Sequence, residues 1–219
     1  ERWKGIGGLN SSGLVRVVSA DGITWRKLMG NEPMLEALPE SDKVYRYDSQ
    51  NLVFWSETEG QYVCYFRHVR AVESGEMSFR GADGKPAPVE HLYTNQTGPY
   101  LRAPHIYVSI AARFLPGRQV LTEAEAEEVG VNPEYFNDIS ESVLMTSRGG
   151  TVYDRTFMEG YGRPGLGLSN WTSRTNYPAL NVIQTGPDEM SFFVQKAYGQ
   201  PDHRLVRYAL RLDGFASLH

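Results

Sequence analysis

Short apolar runs separated by turn residues constrain the fold of this chain more than any other feature. The runs over 51–56 and 61–66 flank one turn, and the runs over 179–184 and 190–194 flank another, over 185–188. Because paired runs of this length around a turn are typical of β-hairpins, the sequence predicts an all-β protein. Four further segments have strand composition: 14–18, 105–110, 142–146 and 205–212.

One helix is predicted among these strands. Thr122 and Glu125 stand in the spacing of a capping box, in which each side chain bonds the backbone N–H of the other residue. The acidic residues over 123–128 suit the N-terminal end of a helix. We therefore expect one short, solvated surface helix inserted between strands.

Composition excludes several classes of protein. The formal net charge of −4 argues against a general nucleic-acid binder, which would need a basic surface. The single cysteine, Cys64, excludes an intramolecular disulfide and a cysteine-based zinc site. No apolar run reaches the roughly 18 residues of a membrane-spanning helix, so no membrane span is predicted.

Arginine outnumbers lysine by 17 to 5. The planar guanidinium group binds carboxylates and sulfates through two parallel hydrogen bonds, so the excess fits a protein that binds an acidic ligand. Genomic base composition explains the same excess equally well, and both explanations stay open.

Two turns share the pattern Ser-x-x-Gly-x-x-aromatic, at residues 19–25 (SADGITW) and 147–153 (SRGGTVY). In such a turn the polar side chains bond the turn backbone and the aromatic ring packs beneath it. The same turn recurs between the third and fourth strands of blades in carbohydrate-active β-propellers. A propeller is therefore the first choice of architecture. An unrelated β-sandwich with two similar turns is the alternative.

Several segments, taken in order, carry a resemblance to a known family. They are 19–25, 48–51 (DSQN) with 54–55 (FW), 62–67 (YVCYFR), 91–94 (HLYT), 99–105 (PYLRAPH), 144–150 (LMTSRGG), 153–155 (YDR), 163–165 (RPG), 170–171 (NW) and 210–217 (LRLDGFAS). Together they resemble the glycoside-hydrolase-like five-bladed β-propeller proteins of bacteria, which are related to glycoside hydrolase families 32 and 43.

The resemblance implies a five-bladed β-propeller that occupies residues 1–219 as a single domain. The strands account for only three to four blades, so we expect blade material to be missing at one or both ends. A further domain or chain would then complete the propeller. The resemblance also favours a secreted or periplasmic location.

In a propeller, the starts of the first and third strands of each blade face the central pocket. Polar residues at those positions are therefore candidates for the site. Four carboxylates are candidates for catalysis at that face: Asp48, Asp138, Glu141 and Glu159. Glycoside hydrolysis uses one carboxylic acid and one base or nucleophile. We expect Asp48 to be the base or nucleophile and Glu159 the acid, with Asp138 or Glu141 as a third carboxylate that tunes the pKa of the acid.

Each of these carboxylates also has a purely structural explanation. Asp48 fits a cap on backbone amides at the start of a strand, and Glu159 fits an ion pair with Arg155 or Arg163. Asp138 and Glu141 fit solvated or turn positions.

Seven further residues are candidates for substrate binding: Arg67, Arg102, His105, Arg163, Trp171, Arg174 and His203. Arg67, Arg102 and Arg163 would bind a sugar carboxylate or sulfate, or instead bridge neighbouring blades to buried acids. The tryptophan would stack on a sugar ring or pack in the core, and the histidines fit hydrogen-bonded structural positions at least as well. No pair of histidines has the spacing of metal ligands, so no cofactor is expected beyond an optional calcium ion on the propeller axis.

The sequence thus predicts a glycoside hydrolase that acts on a poly- or oligosaccharide, with uronic or sulfated sugars as one candidate class. A carbohydrate-binding propeller without catalysis is the alternative. A third hypothesis is an interaction domain within a larger assembly, because an incomplete propeller would leave strand edges unpaired.

Overall fold

The computed structural model describes residues 2–9, 13–36, 47, 50–66 and 77–216. The chain divides into two compact units, Glu1–Glu76 and Met77–His219, which we call unit 1 and unit 2. The prediction of one domain truncated at its ends stays a prediction.

Unit 1 contains a three-stranded antiparallel sheet and a separate hairpin. The sheet is ordered β1-β2-β3, from β1 (Trp3–Leu9), β2 (Gly13–Ser19) and β3 (Arg26–Lys27). The hairpin pairs β4 (Leu52–Ser56) with β5 (Gln61–Tyr65), which confirms the prediction for 51–66. Its turn is fixed by Ser56 Oγ, which accepts a hydrogen bond from Glu59 N at 3.0 Å, and by Gly60 with a φ of 63°.

The larger sheet of unit 2 has six strands. They are β6 (Ser78–Gly81), β7 (His91–Thr94), β8 (Gly98–Tyr100), β9 (Ala103–Leu115), β10 (Ile139–Ser147) and β11 (Val152–Arg155). The order is β6-β11-β10-β9-β7, with β8 also paired to β9. Strand β9 has 13 residues, so one edge pairs with β10 while the other edge accommodates both β7 and β8.

The second sheet of unit 2 is built around β14 (Glu189–Lys196), which pairs with β15 (Arg204–Arg211) on one side. On the other side β14 pairs with two short strands, β12 (Tyr177–Pro178) and β13 (Ile183–Gln184). The predicted strand over 179–184 was wrong over most of its length. Asn181 has a left-handed backbone with a φ of 64°, and this interrupts the strand between β12 and β13.

The core of unit 2 lies between its two sheets. Buried apolar side chains come from both: Tyr100, Val108, Ile110 and Leu144 from the first, and Val182, Met190, Phe192 and Val194 from the second sheet or its connections. Each sheet therefore covers the apolar face of the other, which removes both faces from water.

Helix α1 (Glu123–Glu128) lies between β9 and β10 in the chain, as predicted. Its capping box is confirmed, because Thr122 Oγ1 accepts from Glu125 N while Glu125 Oε2 accepts from Thr122 N. Ala126 is the helix residue that packs inward, against Leu121 and Val131. A 3-10 turn over Leu168–Asn170 follows later in the chain.

The all-β prediction is confirmed, but the five-bladed propeller is wrong. The described strands form sheets of three, two, six and four strands, and none of these sheets is closed or arranged as a blade. Strand β6 pairs with β11 in parallel, whereas a blade made of consecutive hairpins is antiparallel throughout. Long-range pairing of this kind leaves no local signal in the sequence. In the part of the chain that the structure describes, no helix has the length and apolarity to cross a membrane.

Candidate functional site

Four of the predicted site residues line one cavity in unit 2, and this cavity is the candidate site. They are Glu141, Glu159, Arg163 and Trp171. The cavity has a volume of about 270 Å³, and its other lining residues are Arg113, Leu115, Arg118, Ile139, Gly160 and Pro164. Strands β9 and β10 and the loop that follows β11 form its walls.

Glu141 lies on β10 directly opposite Arg113 on β9. The Arg113 guanidinium donates to Glu141 Oε1 through Nε at 3.1 Å and through Nη2. Opposite residues in an antiparallel pair have side chains within reach of each other, so the strand register itself makes this ion pair. Glu141 is only 8% exposed, and burial strengthens the attraction between the two charges.

A second carboxylate, Glu90, lies behind this pair. Glu90 accepts from Arg113 Nη1 through one oxygen and from Arg155 through the other, at 2.7 and 3.0 Å. Burial lowers the pKa of Arg113, but its hydrogen bonds to Glu141 and Glu90 outweigh burial and raise the pKa of Arg113 above its ordinary value. Arg113 is therefore a fixed cation that pairs with both carboxylates.

Sequence reasoning missed Glu90 and Arg113, and it considered Arg155 only as a partner for Glu159. Arg155 pairs with Glu90 instead and is fully buried. One sequence feature does indicate the network, because Arg113 and Glu141 are single charged residues within largely apolar strands. A lone charge inside such a run usually needs a buried partner of opposite charge.

The loop after β11 brings Glu159 and Arg163 to the cavity. It runs along β10, where Tyr161 N donates to Ser142 O at 2.7 Å and Ser142 N donates to Gly162 O at 3.2 Å. Gly160 passes so close to Glu141 that a Cβ there would overlap Glu141 Oε2. A side chain at position 160 would therefore displace the Glu141 carboxylate or the loop.

Trp171 connects the cavity to a small apolar cluster. Its ring packs against the cluster of Leu121, Ala126 and Val131 and also lines the cavity. Its indole N–H donates to Gly165 O at 2.9 Å, which fixes the ring plane. Trp171 therefore packs in the core, which is one of the two roles that the sequence left open, and its stacking on a sugar ring stays a prediction.

The cavity has an excess of uncommitted cationic groups. The Arg163 guanidinium donates to Gly160 O at 3.2 Å through Nε, which leaves its terminal nitrogens without a partner within the described ranges. Arg118 makes no side-chain hydrogen bond or ion pair to any described residue, and neither does Glu159. Because Arg113 is neutralised by Glu141 and Glu90, the lining residues without a charged partner among the described residues are two arginines and one glutamate. This arrangement suits a ligand that carries an acidic group.

Two further predicted residues, Asp138 and Arg102, do not line this cavity. Asp138 Oδ1 accepts from Gly117 N at 2.6 Å and so closes the turn that follows β9. Arg102 pairs with Asp213, which also accepts from the Tyr100 hydroxyl. Asp48 and Arg67 lie outside the described residues.

Three other predicted binding residues are exposed and do not line this cavity. Arg174 lies over the Tyr135 ring, with 4.5 Å between the guanidinium carbon and the ring centroid. His203 Nε2 is 2.8 Å from Gln195 Nε2. His105 lies near the start of β9.

A larger groove of about 720 Å³ lies beside α1, and none of the predicted site residues lines it. Its walls are mainly apolar, with Glu123 and Glu127 at the rim and Val131 and Phe136 below. The smaller cavity remains the candidate site, because charged and aromatic groups converge there.

No group of three or more histidine, cysteine, aspartate or glutamate side chains that could hold a metal ion occurs within residues 2–9, 13–36, 47, 50–66 and 77–216. A structural calcium ion stays a prediction, but the described sheets form no propeller axis on which it could lie. No protein-family model, curated protein or solved structure matches the chain.

Proposed function

We propose that this protein is a glycoside hydrolase that acts on an acidic poly- or oligosaccharide. The observation that carries the proposal is the convergence of Glu141, Glu159, Arg163 and Trp171 on one cavity of unit 2. Two carboxylates on one cavity are the minimum that glycosidic bond hydrolysis requires. The sequence resemblance predicts the same reaction class, but the propeller that it implied is wrong, so the proposal rests on the cavity.

The two glutamates suit different roles. Arg113 pairs with Glu141 and holds its side chain in place, and a base or nucleophile must be a positioned carboxylate. Glu159 has no ionic partner among the described residues, so its carboxyl group is available to a substrate in the cavity. In the proposal Glu159 protonates the leaving-group oxygen, while Glu141 acts at the anomeric carbon or activates a water for that attack.

The cationic and aromatic groups would bind the sugar. The free N–H groups of Arg118 and Arg163 would hold a uronic carboxylate or a sulfate, since a guanidinium forms paired hydrogen bonds with either. The Trp171 ring would stack on the face of a sugar ring beside them.

The test is a screen of the purified protein against neutral, uronic and sulfated oligosaccharides, with released sugar and thermal shift measured together. We expect release from an acidic substrate. Glu141→Gln and Glu159→Gln keep the side-chain shape and should each lower turnover by about 100-fold or more. Glu134→Gln, an exposed residue outside the cavity, is the matched control and should leave turnover unchanged. Full activity in both cavity variants would exclude this assignment.

Carbohydrate binding without cleavage is the second candidate, and one contact favours it. Glu141 Oε1 is engaged by Arg113, which fits a carboxylate whose task is to hold that arginine in place. In this case an acidic oligosaccharide shifts the melting temperature but no sugar is released. Arg163→Ala should then abolish the shift, while Arg148→Ala, an exposed arginine in the β10–β11 turn, should preserve it.

A further inference from the structure

Asn176 lies behind the cavity with its side chain completely buried. Its Nδ2 donates to Ser140 O at 2.9 Å and to Asn170 O at 3.1 Å. Its Oδ1 accepts from Lys196 Nζ. The carboxamide therefore has partners at both ends, as a buried amide requires.

The two carbonyls that Asn176 binds belong to the peptide bonds immediately before Glu141 and Trp171. One side chain thus restrains the backbone at two cavity residues that come from different parts of the chain. The Ser142 hydroxyl adds a contact on the other side of Glu141, because it donates to Asn176 O at 2.8 Å.

Lys196 determines which way the Asn176 amide points. An ammonium group only donates hydrogen bonds, so the oxygen of the amide must face it. The two N–H groups of the amide are then directed at the two carbonyls. With the amide reversed, its N–H groups would face the ammonium ion and its oxygen would face two carbonyl oxygens.

Lys196 is a buried cation without a carboxylate partner among the described residues. It is 5% exposed, and its neighbours are Asn176, the Tyr208 ring at 5.8 Å and the positive charge of Arg204. Burial, with a smaller contribution from Arg204, lowers the pKa of Lys196 to about 8. A desolvated lysine that serves only to fill space would be better replaced by an apolar residue, so a specific task is expected for this one.

The backbone around the pair is strained. Arg174, Asn176 and Ala197 all have left-handed φ values, of 54°, 60° and 50°. Two hydrogen bonds join the segment around Arg174 to the segment around Ala197. Tyr198 N donates to Arg174 O at 2.7 Å, and Ala197 N donates to Thr175 Oγ1 at 3.2 Å. Left-handed non-glycine residues persist where the surrounding structure holds them, and they concentrate at functional sites.

We propose that Lys196 and Asn176 form a positioning pair that sets the placement of Glu141 and Trp171 in the cavity. Neither residue lines the cavity, so both act through the backbone of the residues that do. The effect on a ligand rests on the proposed function, whereas the effect on Trp171 does not.

The first test replaces Asn176 by glycine, which keeps the left-handed backbone and removes only the side chain. Asn181→Gly is the matched control, because Asn181 is also left-handed and its side chain accepts one hydrogen bond from the described residues, from Val182 N at 2.8 Å. The protein is labelled with 5-fluorotryptophan, and Trp171→Phe assigns the Trp171 line in the ¹⁹F spectrum. Asn176→Gly should shift or broaden that line and leave the other three tryptophan lines in place. Asn181→Gly should move none of them.

The second test separates the charge of Lys196 from its size. Lys196→Met should move the Trp171 line as Asn176→Gly does, while Lys196→Arg should restore most of the wild-type spectrum because it keeps a cationic donor. If either Asn176→Gly or Lys196→Met fails to fold, the spectrum of the other variant decides whether the pair positions Trp171. An unchanged Trp171 line in the folded variants, or an equal change in Asn181→Gly, would overturn the proposal.

Ligand measurements distinguish a failure of this proposal from a failure of the proposed function. If the wild-type protein acts on or binds an acidic oligosaccharide, Asn176→Gly should lower kcat/KM or affinity about tenfold, and Asn181→Gly should not. If the wild-type protein neither cleaves nor binds any sugar in the screen, the proposed function fails. The ¹⁹F comparison still decides whether the pair positions Trp171.

Discussion

At the residue scale, the ion network of Arg113, Glu141, Glu90 and Arg155 holds the site together. It contains two cations and two carboxylates, all of them at least partly buried. Arg155 also donates to the carbonyls of Leu144 and Phe157, at 3.1 and 2.9 Å. Such a network tolerates burial only while every charge has its partner, so removal of one member leaves another uncompensated.

Glu90→Gln tests this network. The substitution removes one negative charge and leaves the fully buried Arg155 without an ionic partner. We expect the free energy of unfolding to fall by about 3–5 kcal/mol, as measured by urea denaturation. Asp154→Asn is the control, because the pair of Asp154 with Arg80 is largely exposed and should contribute under about 1 kcal/mol. Equal losses in the two variants would contradict this account of the network.

At the element scale, the serine contacts of the two Ser-x-x-Gly-x-x-aromatic turns form as their sequences predict, but the aromatic ring is buried only in the second turn, because Trp25 is 45% exposed. Ser19 Oγ accepts from Gly22 N at 2.9 Å and donates to Asp21, and Ser147 Oγ accepts from Gly149 N at 3.2 Å. Tyr153, the aromatic residue of the second turn, is fully buried. These contacts all lie within a few residues, so the local sequence is sufficient to specify them.

Asp21 carries most of the hydrogen bonds in the first turn. Its Oδ1 accepts from Ile23 N and Thr24 N at 2.8 Å each, and these bonds hold the pKa of Asp21 well below its ordinary value. A carboxyl group with a lowered native pKa stabilises the fold above its unfolded pKa, which is near 4, and this stabilisation is lost as the pH falls below that value. Asp21→Ala should therefore lower stability at pH 7 and remove this part of the acid sensitivity.

Amide hydrogen exchange is the measurement for Asp21→Ala. The Ile23 and Thr24 amides should exchange faster in the variant at pH 7, while exchange in β14 stays as in the wild type. The control is Asp188→Ala, a turn residue whose carboxylate accepts no hydrogen bond from a described residue. Unchanged exchange at Ile23 and Thr24 would show that the turn does not depend on the carboxylate.

At the scale of the whole chain, all the cavity-lining residues belong to unit 2. Unit 2 also contains both of the sheets that bury the cluster around Phe192 and Met190. Its sheets therefore have a core of their own, which is what independent folding requires.

A fragment of residues 77–219 should consequently fold without unit 1. Trp171 is its only tryptophan, so its fluorescence reports on the site directly. We expect a single cooperative urea transition by Trp171 fluorescence and by circular dichroism, with coincident midpoints. Glu90→Gln in the same fragment should shift both midpoints to lower urea. A fragment without a cooperative transition would show that unit 2 depends on the rest of the chain.

The sequence by itself determined the features that depend on neighbouring residues. The hairpin over 51–66, the capping box of Thr122 and Glu125, and the two serine turns all follow from contacts within a few positions. The all-β class follows from the same local patterns.

Only the tertiary structure decided which strands pair and which charges meet. The parallel pairing of β6 with β11 joins segments about 70 residues apart, and no local pattern distinguishes it from the hairpins of a propeller blade. Glu141 was a candidate from the sequence, but its partners Arg113 and Glu90 depend on strand register and on packing across unit 2. The buried position of Lys196 behind Glu141 has the same origin, because burial and desolvation arise only when distant segments come together.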